Sequence, residues 1–237
     1  MNERGYQVVP GYLKETAGLR SVLQARLDEY QPNEAEQSRL DRYLLHDLIC
    51  RDFIFCLLLD DRRLQGLLSP VLGDNWILYA ATSSSLPPSS TNYARRIHRD
   101  SAGSHPGRVG AIFALDDFTA RTGATEVLPG SHLEHGVDEE AFNRDCEPIE
   151  CEAGSLILFD ARLYHRAGIN QTASWRHAMT MNFCMPWMKQ RMDWPRMVPT
   201  EFVSRLGEQG KRAVGMHSRV PASMGEFWNR TYKANQV

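Results

Sequence analysis

The stretch CEPIECEAGSLILFDARLYHRAG, residues 146–168, decides how this chain is read. Apolar and polar residues fall in short runs on either side of Gly154, a residue type that turns without steric cost. The spacing predicts two strands around a turn at Gly154, with His165 late on the second. Similar segments recur outward in both directions. NWILYAATSSS (75–85) and RVGAIFALDDF (108–118) alternate before it, and TEVLPGS (125–131) is a short strand closed by a Pro-Gly turn. RHAMTMNFCMPW (176–187) follows as a further strand. Short strands at regular intervals with Gly/Pro turns predict a double-sheet barrel or jelly roll.

Beyond these strands the character is helical. GYLKETAGLRSVLQARLDEY (11–30) carries apolar residues at helical spacing and reads as one surface helix. Residues 33–73 read as two more helices stopped by Pro70 and Gly73. TEFVSRLGEQGKRAVG (200–215) reads as a final surface helix, with Phe202, Val203 and Leu206 on one face for the barrel or a second subunit. The fold class is therefore mainly β with flanking helices. At 237 residues the chain suits a single domain: 1–73 as mostly helical support, 74–190 as the β core and 191–237 as a helical extension.

Composition narrows the function. The net charge of −2 gives no basic footprint for nucleic acid. The longest apolar run, FIFCLLL at 53–59, is too short to span a membrane. Five scattered cysteines without a CxxC pair exclude a zinc finger and a disulfide framework. With no apolar segment after the charged start MNERGYQVV, a reducing, cytoplasmic setting is expected.

The chemistry starts at His98-Arg99-Asp100. On a strand, positions i and i+2 point the same way, so His98 and Asp100 present two metal donors to one side. A catalytic iron(II) site takes two imidazoles and one carboxylate on one face of the ion and leaves the rest open. His165 is the best candidate for the third donor. The HxD pair by itself is equally a polar strand end; what singles it out is the order that follows. After it come a Pro-Gly-Ser-His turn (129–132), a distal histidine, and Arg176 eleven positions beyond His165. An arginine there can fork onto a carboxylate as lysine cannot. His46 reads as a surface or packing residue of a helical stretch, His105, His132, His135 and His217 as loop, turn or tail residues, and His177 as the neighbour of Arg176. The loop SAGSHPGRVG (101–110) is a flexible lid by composition. It is no phosphate cradle, because no P-loop Lys and Ser/Thr follow.

Taken together, GYQVVPGYL (5–13), HRD (98–100), TGATEVLPGSH (122–132), GSLILFDARLYHRAGIN (154–170) and WRHAMTMNFCMPW (175–187) resemble the phytanoyl-CoA dioxygenase (PhyH-like) family. The resemblance runs from about residue 5 to about 190. It implies a double-stranded β-helix, the cupin-like jelly roll, buttressed by N-terminal helices. It implies iron(II) held by His98, Asp100 and His165, and 2-oxoglutarate with its distal carboxylate on Arg176, O2 being the co-substrate. It also places Thr82 against the cofactor and Ile112 along its carbon chain. Asp100 stands where a related halogenase keeps a small residue, so hydroxylation or a related oxidation is the implied reaction. Such an enzyme oxidises an unactivated C–H bond of a small metabolite and releases succinate and CO2, here in secondary metabolism.

The partner expected is a small molecule, free or carrier-linked, with the protein a monomer or homodimer. Phe183, Met185, Trp187, Met188 and Trp194 lie near the barrel mouth by sequence position, as core or as pocket lining. Arg191 and Arg196 nearby could meet an acidic substrate or form a solvated face. Two rivals stay open: a cupin-like metalloenzyme without 2-oxoglutarate, which leaves Arg176 without a task, and a non-catalytic jelly-roll binding module.

Overall fold

A computed structural model describes residues 3–30, 44–134 and 136–234. The predicted strands form where the alternation is longest. β1 (Tyr6–Val9), β2 (Ile77–Ser83), β3 (Arg108–Ala114), β6 (Leu156–Asp160) and β8 (Ala178–Cys184) make one antiparallel sheet in the order β1-β6-β3-β8-β2. β4 (Glu126–Val127), β5 (Glu147–Pro148) and β7 (His165–Arg166) make a second, in the order β5-β4-β7.

The register divides the large sheet into two faces. Ala111, Phe113, Leu158, Met179 and Met181 point outward into one apolar cluster. Leu19, Leu23 and Leu27 of α1 (Ala17–Glu29) join them there, so α1 is buried on one side as its spacing requires. Ile112, Ile157 and Phe159 point inward and pack with Val127 and Ile149 beside the small sheet. β3, fully buried beyond Arg108, is covered on both faces, and its sequence is accordingly almost unbroken apolar. Each large side chain sealed in this way contributes about 2 kcal/mol.

The helical regions depart from expectation. The first 73 residues hold the edge strand β1 as well as helices, because Val8 and Val9 find ladder partners in Ile157 and Leu156, distant in the chain. The two helices expected over 33–73 lie partly in residues 31–43, outside those described. From Leu48 the segment forms α2 (Leu48–Arg51), α3 (Phe53–Cys56), a 3-10 turn and α4 (Arg62–Leu72). Pro70 sits inside α4 without stopping it, and the Gly73 amide still closes on Ser69 O at 2.9 Å. Gly73, at φ +75°, is the true stop.

After α5 (Glu139–Asp145), the single C-terminal helix expected near 200–215 becomes α6 (Trp194–Met197), α7 (Thr200–Arg205) and α8 (Glu208–Val214), and α9 (Met224–Ala234) follows. Asp60 explains the break: its carboxylate accepts from the Gly207 amide at 2.9 Å and the Gly210 amide at 2.6 Å, capping α8 from far along the chain. Nor is α8 a surface helix, since Ala213 and Val214 are buried in the outer core. The chain is thus a mixed helix and antiparallel-sheet protein, with helices supplying more residues than strands. No helix among the described residues is long and apolar enough to cross a membrane. All five cysteines are free, and burial pushes the Cys56 and Cys184 thiols up to about 12.

Candidate functional site

The turn after β6 builds the site. The Asp160 carboxylate accepts the Arg162 amide two residues on at 2.9 Å and grips its guanidinium at 2.7 Å, while the Leu163 amide returns to Asp160 O. The chain reverses there and delivers His165 on β7. Opposite it, His98 is not on a strand, as the i, i+2 reading required. It forms a single antiparallel bridge with His165: the His98 amide donates to His165 O at 3.0 Å, and the His165 amide to His98 O at 2.9 Å. The Ser101 amide on Ala161 O and Arg108 Nη1 on Asp100 O, each at 2.7 Å, pin the segment beyond.

The bridge sets the two imidazoles side by side, tilted by 51° with centroids 4.3 Å apart. His98 Nδ1 lies 2.7 Å from Arg96 O and His165 Nδ1 lies 2.9 Å from Leu163 O. A carbonyl only accepts, so each Nδ1 carries the proton and each Nε2 keeps a lone pair for a ligand. The Asp100 carboxylate completes the group at 3.9 Å from His98 Nε2, and one donor atom from each of the three lies within 4.8 Å of the others. Among the described residues this is the one His/Cys/Asp/Glu cluster that could hold a metal. Burial lowers the pKa of His165, Asp100 pulls it back up and His98 adds to the lowering, so the buried ring stays neutral, as a ligand must. Two nitrogens and one carboxylate with the remaining directions open fit a catalytic iron(II) better than a closed structural ion.

The cluster opens into a pocket of about 190 Å³. The remaining sequence candidates line it too. Thr82, Thr180 and Ile112 stand in one row across β2, β8 and β3. Arg176, next to β8 and bridged to Leu86, enters from the far wall. Its guanidinium is 2% exposed, donates to Ser84 O at 2.9 Å and Gly123 O at 3.0 Å, and lies 4.2 Å from the Phe118 ring centre. Its Nε has no hydrogen-bond partner and no carboxylate pairs with it among the described residues. Burial pulls its pKa down to about 9, still protonated at neutral pH. Asp116 acts on it from a distance, but a buried cation with no carboxylate in contact is expensive, and an incoming carboxylate relieves that cost.

Some lining residues escaped the sequence. His46, read as a surface or packing residue of a helix, stands in a turn and lines the pocket. Arg108, at the start of β3, lines the wall with its guanidinium 3.8 Å from the Tyr79 ring centre. Of the mouth candidates, Phe183 and Trp194 are core residues, whereas Trp187 is 77% exposed beside a second pocket. Arg196 is occupied by Asp193 at 2.6 Å and Val220 O at 3.0 Å. No sequence signal marks His46; Arg108 has one, a charge at the mouth of an otherwise apolar strand.

Comparison with known proteins accords with this geometry. The family model described as Phytanoyl-CoA dioxygenase (PhyH) matches residues 1–178. The uncharacterized protein Rv1501 of Mycobacterium tuberculosis is 30% identical over 255 aligned residues, covering 100% of this chain and 93% of that one. Dioxygenase sphC of Aspergillus fumigatus is 26% identical, over 68% of this chain and 46% of its own. Among solved structures, EctD from S. alaskensis with bound Fe superposes with a TM-score of 0.66 at 18% identity, covering 80% of this chain and 76% of that one. At that identity the likeness is one of fold.

Proposed function

The chain belongs to the phytanoyl-CoA dioxygenase family and is an iron(II)- and 2-oxoglutarate-dependent dioxygenase, and from that premise we propose how its own residues divide the work. His98, Asp100 and His165 hold the iron. Arg176 takes the distal carboxylate of 2-oxoglutarate, with Thr82 beside the cofactor and Ile112 along its carbons. The observation that carries this reading is the buried Arg176 guanidinium, without a carboxylate partner, opening on the same pocket as the three-donor cluster. A cupin-like metalloenzyme without 2-oxoglutarate gives that guanidinium no task.

Iron(II) bound there, with 2-oxoglutarate and O2, supplies the oxidising power that breaks a C–H bond, with succinate and CO2 as co-products. The chain contributes position. The Nδ1–carbonyl bonds of both histidines fix their rings before anything binds, and the inward apolar side chains Ile112, Ile157 and Phe159 keep water off the reacting carbon. We read the two sheets as the halves of a double-stranded β-helix and the whole of 1–237 as one domain, with residues 74–190 its core. The substrate of this reading is a small metabolite, hydroxylated or otherwise oxidised in secondary metabolism, within a reducing cytoplasm that suits five free thiols. The loop 101–110, exposed over residues 102–106, serves as the lid.

The test is anaerobic addition of iron(II) and 2-oxoglutarate, which is expected to produce a visible metal-to-ligand absorption band. Screening metabolites for 2-oxoglutarate-dependent succinate release then finds the substrate. Absence of the band, or succinate formed without added iron, contradicts the assignment.

A further inference from the structure

The pocket holds more positive charge than iron and 2-oxoglutarate chemistry uses. Three guanidiniums, Arg108, Arg176 and Arg191, line it against the single carboxylate of Asp100. Loading the site, on the reading above, does not remove the excess. Iron(II) brings two positive charges and Arg176 one; Asp100 and the 2-oxoglutarate dianion bring three negative ones. The loaded centre is then neutral, and Arg108 and Arg191 are left over.

Neither is neutralised elsewhere in the fold. Arg108 spends its Nη1 on a backbone carbonyl, rests on the Tyr79 ring and keeps a buried Nε with no partner among the described residues. The Arg191 side chain is exposed and makes no hydrogen bond or ion pair with any described residue. The two are neighbours through Tyr79: Arg108 lies over its ring, and the Arg191 amide donates to its carbonyl at 3.1 Å. Tyr79 can serve both because the β2–β8 register shifts at this residue, lifting it out of the ladder.

Space points the same way. About 190 Å³ falls short of the about 300–1,000 Å³ of an ordinary ligand pocket. A second pocket of about 530 Å³ shares Arg191 and Met192 with the first and adds Trp187 and Lys189. A substrate that shares the inner space with 2-oxoglutarate must extend outward past Arg191.

We propose that the substrate is an anion, bearing a carboxylate or a phosphate that Arg191 grips at the junction of the two pockets with Arg108 behind it. Its carbon chain reaches inward toward His98 and His165. Asn182, whose buried Oδ1 has no donor among the described residues, takes a hydroxyl or amine of the same molecule.

Titration calorimetry on protein loaded anaerobically with iron(II) and 2-oxoglutarate tests this with hexanoate, hexyl phosphate and hexanol. Wild-type protein should bind one of the charged probes at least about tenfold more tightly than hexanol, the worth of one charge-assisted contact. Whether hexanoate or hexyl phosphate binds better identifies the anion. Arg191→Gln should lose that advantage and keep its 2-oxoglutarate affinity; Arg108→Gln should lose it as well, although Arg108 also holds the Asp100 carbonyl. Equal binding of hexanol, no binding of a charged probe at millimolar concentration, or unchanged binding in Arg191→Gln overturns the proposal. Loading is checked first by the absorption band. Its absence sinks the iron assignment instead, and the same probes on unloaded wild-type and Arg191→Gln protein still decide whether the anion is held.

Discussion

The two faces of the five-stranded sheet are made by the same strands and do opposite things. The outer face, with Phe113, Met179 and Met181, is sealed under helices, and its cluster holds few polar atoms: the Tyr12 hydroxyl bonded to Asp61 at 2.7 Å, Trp194 Nε1 donating to Tyr79 O at 3.3 Å, and Trp76 Nε1 without a partner among the described residues. The inner face, one residue out of phase, leaves buried polar atoms unpaired on Arg108, Arg176 and Asn182. A folded protein pairs nearly all its buried polar groups; single exceptions such as Trp76 Nε1 and Ser155 Oγ lie elsewhere, but three gathered around one pocket mark a place where stability was given up for binding. Alternation along β3 and β8 thus separates what holds the fold from what does chemistry.

Substitutions on each face test that separation. Asp100→Ala should abolish iron-dependent succinate formation while the melting temperature stays within about 4 °C, about 1 kcal/mol for a domain this size; unfolding in step with the activity loss breaks the comparison. Phe113→Ala on the outer face should cost about 3–5 kcal/mol in denaturant unfolding with the iron affinity of the folded fraction unchanged. Arg176→Met should raise the 2-oxoglutarate concentration needed for half-maximal succinate release about 100-fold. Its stability should move by no more than about 1 kcal/mol, because the buried charge leaves along with its two carbonyl bonds. A collapse in melting temperature there would make Arg176 a core residue. Gly110→Ala sharpens the boundary: an added Cβ would sit 2.1 Å from Phe159 Cζ and drive that ring toward His165, whose centroid is 5.0 Å away. Iron affinity should fall about tenfold, at a cost of about 1–3 kcal/mol in stability.

How much of this was legible in the sequence depends on the range of the contacts. β2, β3, β6 and β8 were readable because each is a run of five to seven apolar or alternating residues, long enough to mark a strand by itself. The cluster of His98, Asp100, His165 and Arg176 was readable because its order along the chain is distinctive, although the strand assigned to His98 turned out to be one rung. β1 was not readable, since four residues carry no period worth trusting and only the partner β6 makes them a strand. The split between α7 and α8 was invisible for the same reason: the cap comes from Asp60. Pro70 misled because a proline near the end of a helix removes just one rung of its ladder. His46 and Arg191 reach the pocket from loops whose course no local pattern encodes.

The reciprocal bridge between His98 and His165 has a consequence for handling the protein. In small zinc modules the ligands meet only when the ion arrives, and stripping the ion unfolds the chain. Here the backbone brings the two imidazoles together by itself, so a chelator should empty the centre without melting the scaffold. Ions of different identity could then be swapped in and compared on one unchanged protein.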